Sequence, residues 1–125
     1  MTTTSLSPTP FNVIARAALA EGVGSFFLLA TVVGSGIAAT RLSPGARGLE
    51  LLENALATGT VLATLIVTFA PLSGAHFNPV VSLLQWTRGR LDSQRLLPYV
   101  LAQILGGAAG TIVANLMFAL PAVTV

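Results

Sequence analysis

Ser73-Gly74-Ala75-His76-Phe77-Asn78-Pro79-Val80 lies between two long apolar stretches, and its reading governs the rest of the chain. Asn78 is a favoured N-cap residue, and Pro79 suits the first helical position, where its missing N–H removes no bond. A helix that starts among apolar flanks aims unpaired N–H groups and a partial positive charge at whatever passes. Irregular backbone at membrane depth persists only where it is buried in protein or lines a water-filled cavity. The run therefore predicts a chain that enters a bilayer without helical structure and then begins a short helix in mid-membrane.

Composition places the whole chain in lipid. Hydrophobic residues make up 54% and charged residues 8% of the sequence, against about 25% charged in an average soluble domain. All six basic residues are arginines, and the net charge is only +2. No basic run or basic patch interleaved with aromatics is present, so a nucleic-acid partner is excluded. The absence of cysteine excludes disulfides, thiolate metal sites and a cysteine nucleophile.

Hydropathy predicts an all-α membrane protein with three transmembrane helices and one re-entrant half-helix. The spans fall at about 12–40, 51–70 and 96–120, with the re-entrant loop and half-helix at about 72–87. Pro71 is expected to stop the second span, and Pro98 to lie in the first turn of the third. Residues 1–10 read as a disordered Ser/Thr/Pro tail, 11–120 as one folded repeat and 121–125 as the C-terminal end. With Arg16, Arg88, Arg90 and Arg95 on one side and Arg41 and Arg47 on the other, the arginine bias predicts a cytoplasmic N-terminus in a multi-pass cell-membrane protein.

Small residues mark expected packing faces. Ala102, Gly106, Gly110 and Ala114 recur every four positions on the third span, and Ala55, Gly59 and Ala63 do so on the second. Such rows let helix backbones approach closely, within one bundle or, alternatively, across a dimer through Gly106 and Gly110. Glu21 stands well inside the first span, where a carboxylate faces the protein interior or a water cavity. It is expected to tie that helix to the polar loop before Asn78, with Gln103 as a second polar brace. Gly34-Ser35-Gly36-Ile37-Ala38-Ala39 matches a dinucleotide fingerprint by letters but follows no strand, and it is set aside. No paired carboxylates, metal-ligand spacing or nucleophile–base arrangement can be assembled, so no enzyme, metal or cofactor is expected.

The run around Asn78-Pro79 resembles the first Asn-Pro-Ala signature of the major intrinsic proteins, the aquaporins and aquaglyceroporins. The resemblance extends over most of the chain. Ala20-Glu21 ahead of Gly24-Ser25-Phe26-Phe27 is similar to the family's first helix, Ala57-Thr58-Gly59 to its second, and Tyr99, Ala102-Gln103 and Gly106 to its third. The resemblance implies a channel for passive transport of water and small uncharged solutes. In it, Asn78 offers its side-chain amide to the solute while the carbonyls of Gly74, Ala75 and His76 form a ladder of acceptors. Glu21 would support that loop.

Two departures bear on selectivity. Val80 replaces the family's alanine after Asn-Pro. Thr58 stands twenty residues before Asn78, where the family places an aromatic residue in its outer constriction. A smaller side chain there implies a wider filter, open to glycerol-like molecules and arsenous acid as well as water. The stretch Arg41-Leu42-Ser43-Pro44 also resembles a bacterial branch linked to arsenite handling. Family members carry two inverted repeats with the pore between them, whereas Asn12, Asn54 and Asn115 precede no proline. The expectation is half of a pore, completed by a second repeat or an oligomer. The alternatives are a truncated non-conducting fragment or a small membrane subunit acting by helix packing.

Overall fold

The computed structural model describes residues 10–123. The tail expected over residues 1–10 lies outside that range except for Pro10, as do residues 124–125 of the expected C-terminal end. Four helices and no strand occur among the described residues: α1 (Pro10–Leu42), α2 (Arg47–Ser73), α3 (Pro79–Thr87) and α4 (Ser93–Met117). Three of them, α1, α2 and α4, are long and apolar enough to cross a membrane. The 9 residues of α3 rise only about 14 Å, roughly half of a hydrocarbon core. The fold is an all-α, multi-pass membrane fold of three crossing helices and one short one.

Helix ends differ from the sequence expectation for local reasons. Pro10 opens α1 instead of closing the tail; proline is pre-set for a first turn, where its missing N–H costs no bond. Pro71 does not stop α2 but lies inside its last turn. Its missing N–H affects only the carbonyl of Val67, a residue 79% exposed. Gly74 ends the helix instead, with φ +91° and its N–H donating to the Ala70 carbonyl at 3.0 Å. Helix α4 begins at Ser93 because the Asp92 side chain caps it by accepting from the Gln94 N–H. Pro98 consequently falls beyond the first turn. The same helix ends at Met117, where Ala119 turns to φ +58° ahead of Pro121.

Helix α1 is the central element, packing against α4 along one side and α2 along the other, while α3 rests on α4. At the α1–α4 crossing, Gly106 lies against the Gly22 backbone and Gly110 against the Phe26 backbone. A Cβ added to Gly106 would sit 2.0 Å from the Gly22 carbonyl oxygen, and one on Gly110 2.2 Å from that of Phe26. The row on α2 behaves differently from expectation. Ala55, Gly59 and Ala63 are exposed, and a Cβ on Gly59 would meet no atom within 4 Å. Gly59 therefore packs against none of the described residues.

Helices α1 and α2 are joined instead by a polar side chain. The Asn54 amide donates to the Val32 carbonyl at 2.8 Å and to the Ser35 hydroxyl at 2.9 Å. The discarded Gly34-Ser35-Gly36 letters thus lie inside α1 and receive this amide. Satisfied amides of this kind hold helices together where lipid offers no competing water. In the intervening turn, Ser43 donates to Glu53 at 2.8 Å and the Gly45 N–H to Glu50 at 3.1 Å.

Candidate functional site

Glu21 is fully buried three turns into α1, and everything around it is a donor. One carboxylate oxygen accepts from the Ser73 hydroxyl at 2.5 Å and the His76 N–H at 2.9 Å. The other accepts from the Phe77 N–H at 2.6 Å and the Gln103 side-chain amide at 2.8 Å. Four donors and no acceptor match an acceptor-only carboxylate. The group thus ties α1 to the end of α2, to the loop and to α4. Its depth in a lipid-facing fold is compatible with folding because each lone-pair direction it offers is taken.

These bonds fix which way the loop backbone faces. The N–H groups of His76 and Phe77 point inward to Glu21, and that of Ala75 points inward to the Ser73 hydroxyl at 3.1 Å. In a trans peptide the carbonyl points opposite its N–H. The carbonyls of Gly74, Ala75 and His76 therefore point away from the carboxylate, toward the open side of the loop. None of the three accepts a hydrogen bond from the described residues. This one-sided arrangement uses left-handed backbone at Gly74, Ala75 (φ +55°) and Phe77 (φ +49°). For residues with a Cβ, such positions cost of order 1–3 kcal/mol each and need surroundings that over-determine them.

Phe77 supplies part of that constraint. Its ring is buried, meets Phe69 edge-on at 6.1 Å, and fills the notch left by Gly24. A Cβ on Gly24 would fall 2.0 Å from the ring. Asn78 follows in extended backbone and caps α3, its side-chain oxygen accepting the Val80 N–H at 2.8 Å, with Pro79 in the first turn. The cap uses only the oxygen. The exposed NH₂ end of Asn78 has no partner among the described residues and remains a double donor beside the outward carbonyls.

Of the other residues singled out in the sequence, Gln103 joins the buried network, whereas Gly106 and Gly110 act at the α1–α4 crossing. Thr58 is half-buried on α2, and its hydroxyl is buried without a partner. Val80 is 71% exposed at the start of α3. Three contributors had no assigned role in the sequence reading: Ser73, Ser82 and Tyr99. Ser82 is fully buried and touches both the Gln103 amide at 2.8 Å and His76 Nδ1 at 3.0 Å. Its only sequence signal is a polar side chain within the apolar run of α3.

Tyr99 is buried completely between Ala17 and Leu91, and its hydroxyl donates to the Ser73 carbonyl at 2.8 Å. That carbonyl is one of the last four of α2, which have no partner within their own helix. Tyr99→Phe removes the donor but keeps the ring. It is expected to lower stability by about 1–2 kcal/mol, read as an earlier midpoint in detergent-denaturant unfolding. An unchanged midpoint would show that the bond contributes nothing net.

The chain is similar to known proteins along most of its length. The family model described as "Major intrinsic protein" matches residues 9–123. The chain is 47% identical to aquaglyceroporin AqpS of Rhizobium meliloti (strain 1021) over 108 residues, 86% of this chain and 46% of that protein. It is 44% identical to the lens fiber major intrinsic protein of Gallus gallus over 76% of this chain and 34% of that protein. Aquaporin Z of Brucella melitensis biotype 1 is 40% identical over 72% of this chain and 39% of its own length. The chain thus spans less than half the length of these curated relatives.

Proposed function

From the premise that this chain belongs to the major intrinsic protein family, we propose that it forms one wall of a membrane channel for passive transport of water and small uncharged solutes. The observation that carries this reading is the loop with its N–H groups turned inward and three carbonyls turned outward beside the free Asn78 amide. A permeant neutral molecule gives up bulk hydrogen bonds and needs a line of replacements. The carbonyls of Gly74, Ala75 and His76 supply acceptors. Asn78 and the N-terminal end of α3 supply donors and a partial positive charge, which disfavours cations and protons.

In this reading Glu21, Gln103 and Pro79 hold the loop and do not touch solute. Thr58 lines the outer part of the path and, being smaller than an aromatic side chain, admits glycerol-like molecules and arsenous acid. Similarity to a protein named an aquaglyceroporin supports that preference. The opposite wall comes from a second repeat or another subunit, and the exposed small-residue row of α2 is available to pack against it. The arginine bias supports a cell-membrane protein with its N-terminus in the cytoplasm.

The test is stopped-flow light scattering on vesicles that carry the chain. Osmotic shrinkage faster than in empty vesicles, with glycerol entry, is expected, and Asn78→Ala should reduce both rates. Rates equal to those of empty vesicles would overturn conduction by the chain on its own. Water passage with complete exclusion of glycerol and arsenous acid would overturn the wide filter.

A further inference from the structure

We propose that the cleft between α1 and α2 beside Arg16 binds one anionic phospholipid, with the phosphate on the arginine and an acyl chain between the helices. The site needs only the membrane setting of these two helices. It stands whether or not the chain conducts.

Spacing builds the cleft. Arg16, Leu19, Ala20 and Val23 follow one another at intervals of three or four or their sum, so they share one face of α1. Opposite them, α2 presents Phe69 and Leu72, again about one turn apart. Between the two faces lies a hollow of about 240 Å³, whose walls are apolar apart from Arg16. A second hollow of about 170 Å³ shares Arg16 and Leu72 and extends to Val13 and Pro71. Ala20 is buried at the floor, whereas Leu19 is 67% and Leu72 49% exposed, so the cleft is open along its rim. From Arg16 to Val23 it runs about 10 Å along a membrane-crossing helix, the direction in which a lipid tail lies.

Charge decides the occupant. Arg16 is exposed, and its guanidinium forms no ion pair or hydrogen bond with any described residue. Its stem can follow the apolar wall while the head reaches the headgroup region. There it offers a planar fork of donors suited to phosphate. The tail alone gives little preference, because leaving bulk lipid exchanges one apolar neighbour for another. A zwitterionic headgroup brings its own cation to the same place, so the arginine favours a headgroup of net negative charge. Arg41, near the other end of α1, is differently placed. It donates to the Phe118 carbonyl at 2.7 Å and lies over that ring at 5.2 Å.

Native mass spectrometry of the full chain with phosphatidylglycerol and phosphatidylcholine reads the preference. The first phosphatidylglycerol is expected to bind about fivefold tighter, equivalent to ~1 kcal/mol for one basic residue at an anionic surface. Arg16→Gln should abolish this preference. Arg88→Gln, in the connector after α3, should leave it intact. Both side chains are exposed, so neither substitution disturbs packing. In nanodiscs of the two lipids, a spin label midway along the phosphatidylglycerol tail locates the site. It should broaden the methyl signals of Leu19, Val23 and Leu72 before those of exposed Leu101 and Leu105 on α4. Equal affinity for the two lipids, or a preference that survives Arg16→Gln, overturns the site. An equal loss in Arg88→Gln means diffuse charge attraction, and uniform broadening means contact with bulk lipid; either result also overturns it. Full competition by sn-glycerol 3-phosphate would show that the headgroup binds alone, and would overturn the place of the tail in the cleft.

Discussion

Glu21→Ala is expected to destroy the ordered loop over residues 74–78 and to lower the stability of the folded chain by about 3 kcal/mol or more, since each buried donor left without its acceptor costs about 1–3 kcal/mol. Four donors lose their acceptor at once: Ser73, the His76 and Phe77 N–H groups and the Gln103 amide. Alanine brings no replacement, and lipid-facing surroundings supply little water. The left-handed residues Ala75 and Phe77 then lose the bonds that over-determine them, and relaxation to ordinary backbone turns the carbonyls away from one another. Glu21→Gln should fall between, since one amide oxygen can still accept while its NH₂ confronts a donor. Amide hydrogen exchange at His76 and Phe77 reads the effect directly. Protection in the unaltered chain and rapid exchange in Glu21→Ala are expected, and equal protection in both would defeat the argument.

The second large effect is expected at Gly106. A methyl group there would meet the carbonyl oxygen, carbonyl carbon and Cα of Gly22 at 2.0, 2.8 and 3.0 Å. These are backbone atoms of the neighbouring helix, with no rotamer to change, so α1 and α4 must separate by on the order of 1 Å. Overpacking typically costs 1–3 kcal/mol, and a backbone clash belongs at or above the upper end, about 3 kcal/mol. The damage extends to the site, because α4 carries Tyr99 and Gln103 within the two turns before Gly106. Gly59→Ala is the control. It makes the same chemical change on α2 in open space, where alanine is the better helix former. Unfolding midpoints should drop sharply for Gly106→Ala and stay level or rise for Gly59→Ala. Equal shifts in the two variants would refute the packing assignment.

What was legible in the sequence had local or energetic signatures. Asn78-Pro79 announces a helix start by residue type alone, and Glu21 and Gln103 stand out because polar groups deep in an apolar run need a reason to be there. The residues that complete the site were hidden because their roles are defined across long separations. Ser82 meets Gln103 twenty-one positions away, and Tyr99 reaches Ser73 across twenty-six. The notch of Gly24 is meaningful only once the Phe77 ring lies in it. The misreading of Gly59 has a different source. Small-residue spacing states that a helix can be approached closely, not which neighbour does so. At the helix ends, proline proved a weaker stop than a left-handed glycine, because one lost bond near a terminus changes little.

The position of Glu21 also sets a timetable for making the protein. Its last ligand, Gln103, lies 82 residues later in the chain. At about 5–20 residues per second, a ribosome needs roughly 4–16 s to reach it. During that interval α1 carries its carboxylate without the loop or α4 to receive it. A newly made first helix should therefore stay near the insertion machinery, where water is at hand, and enter lipid together with its later partners.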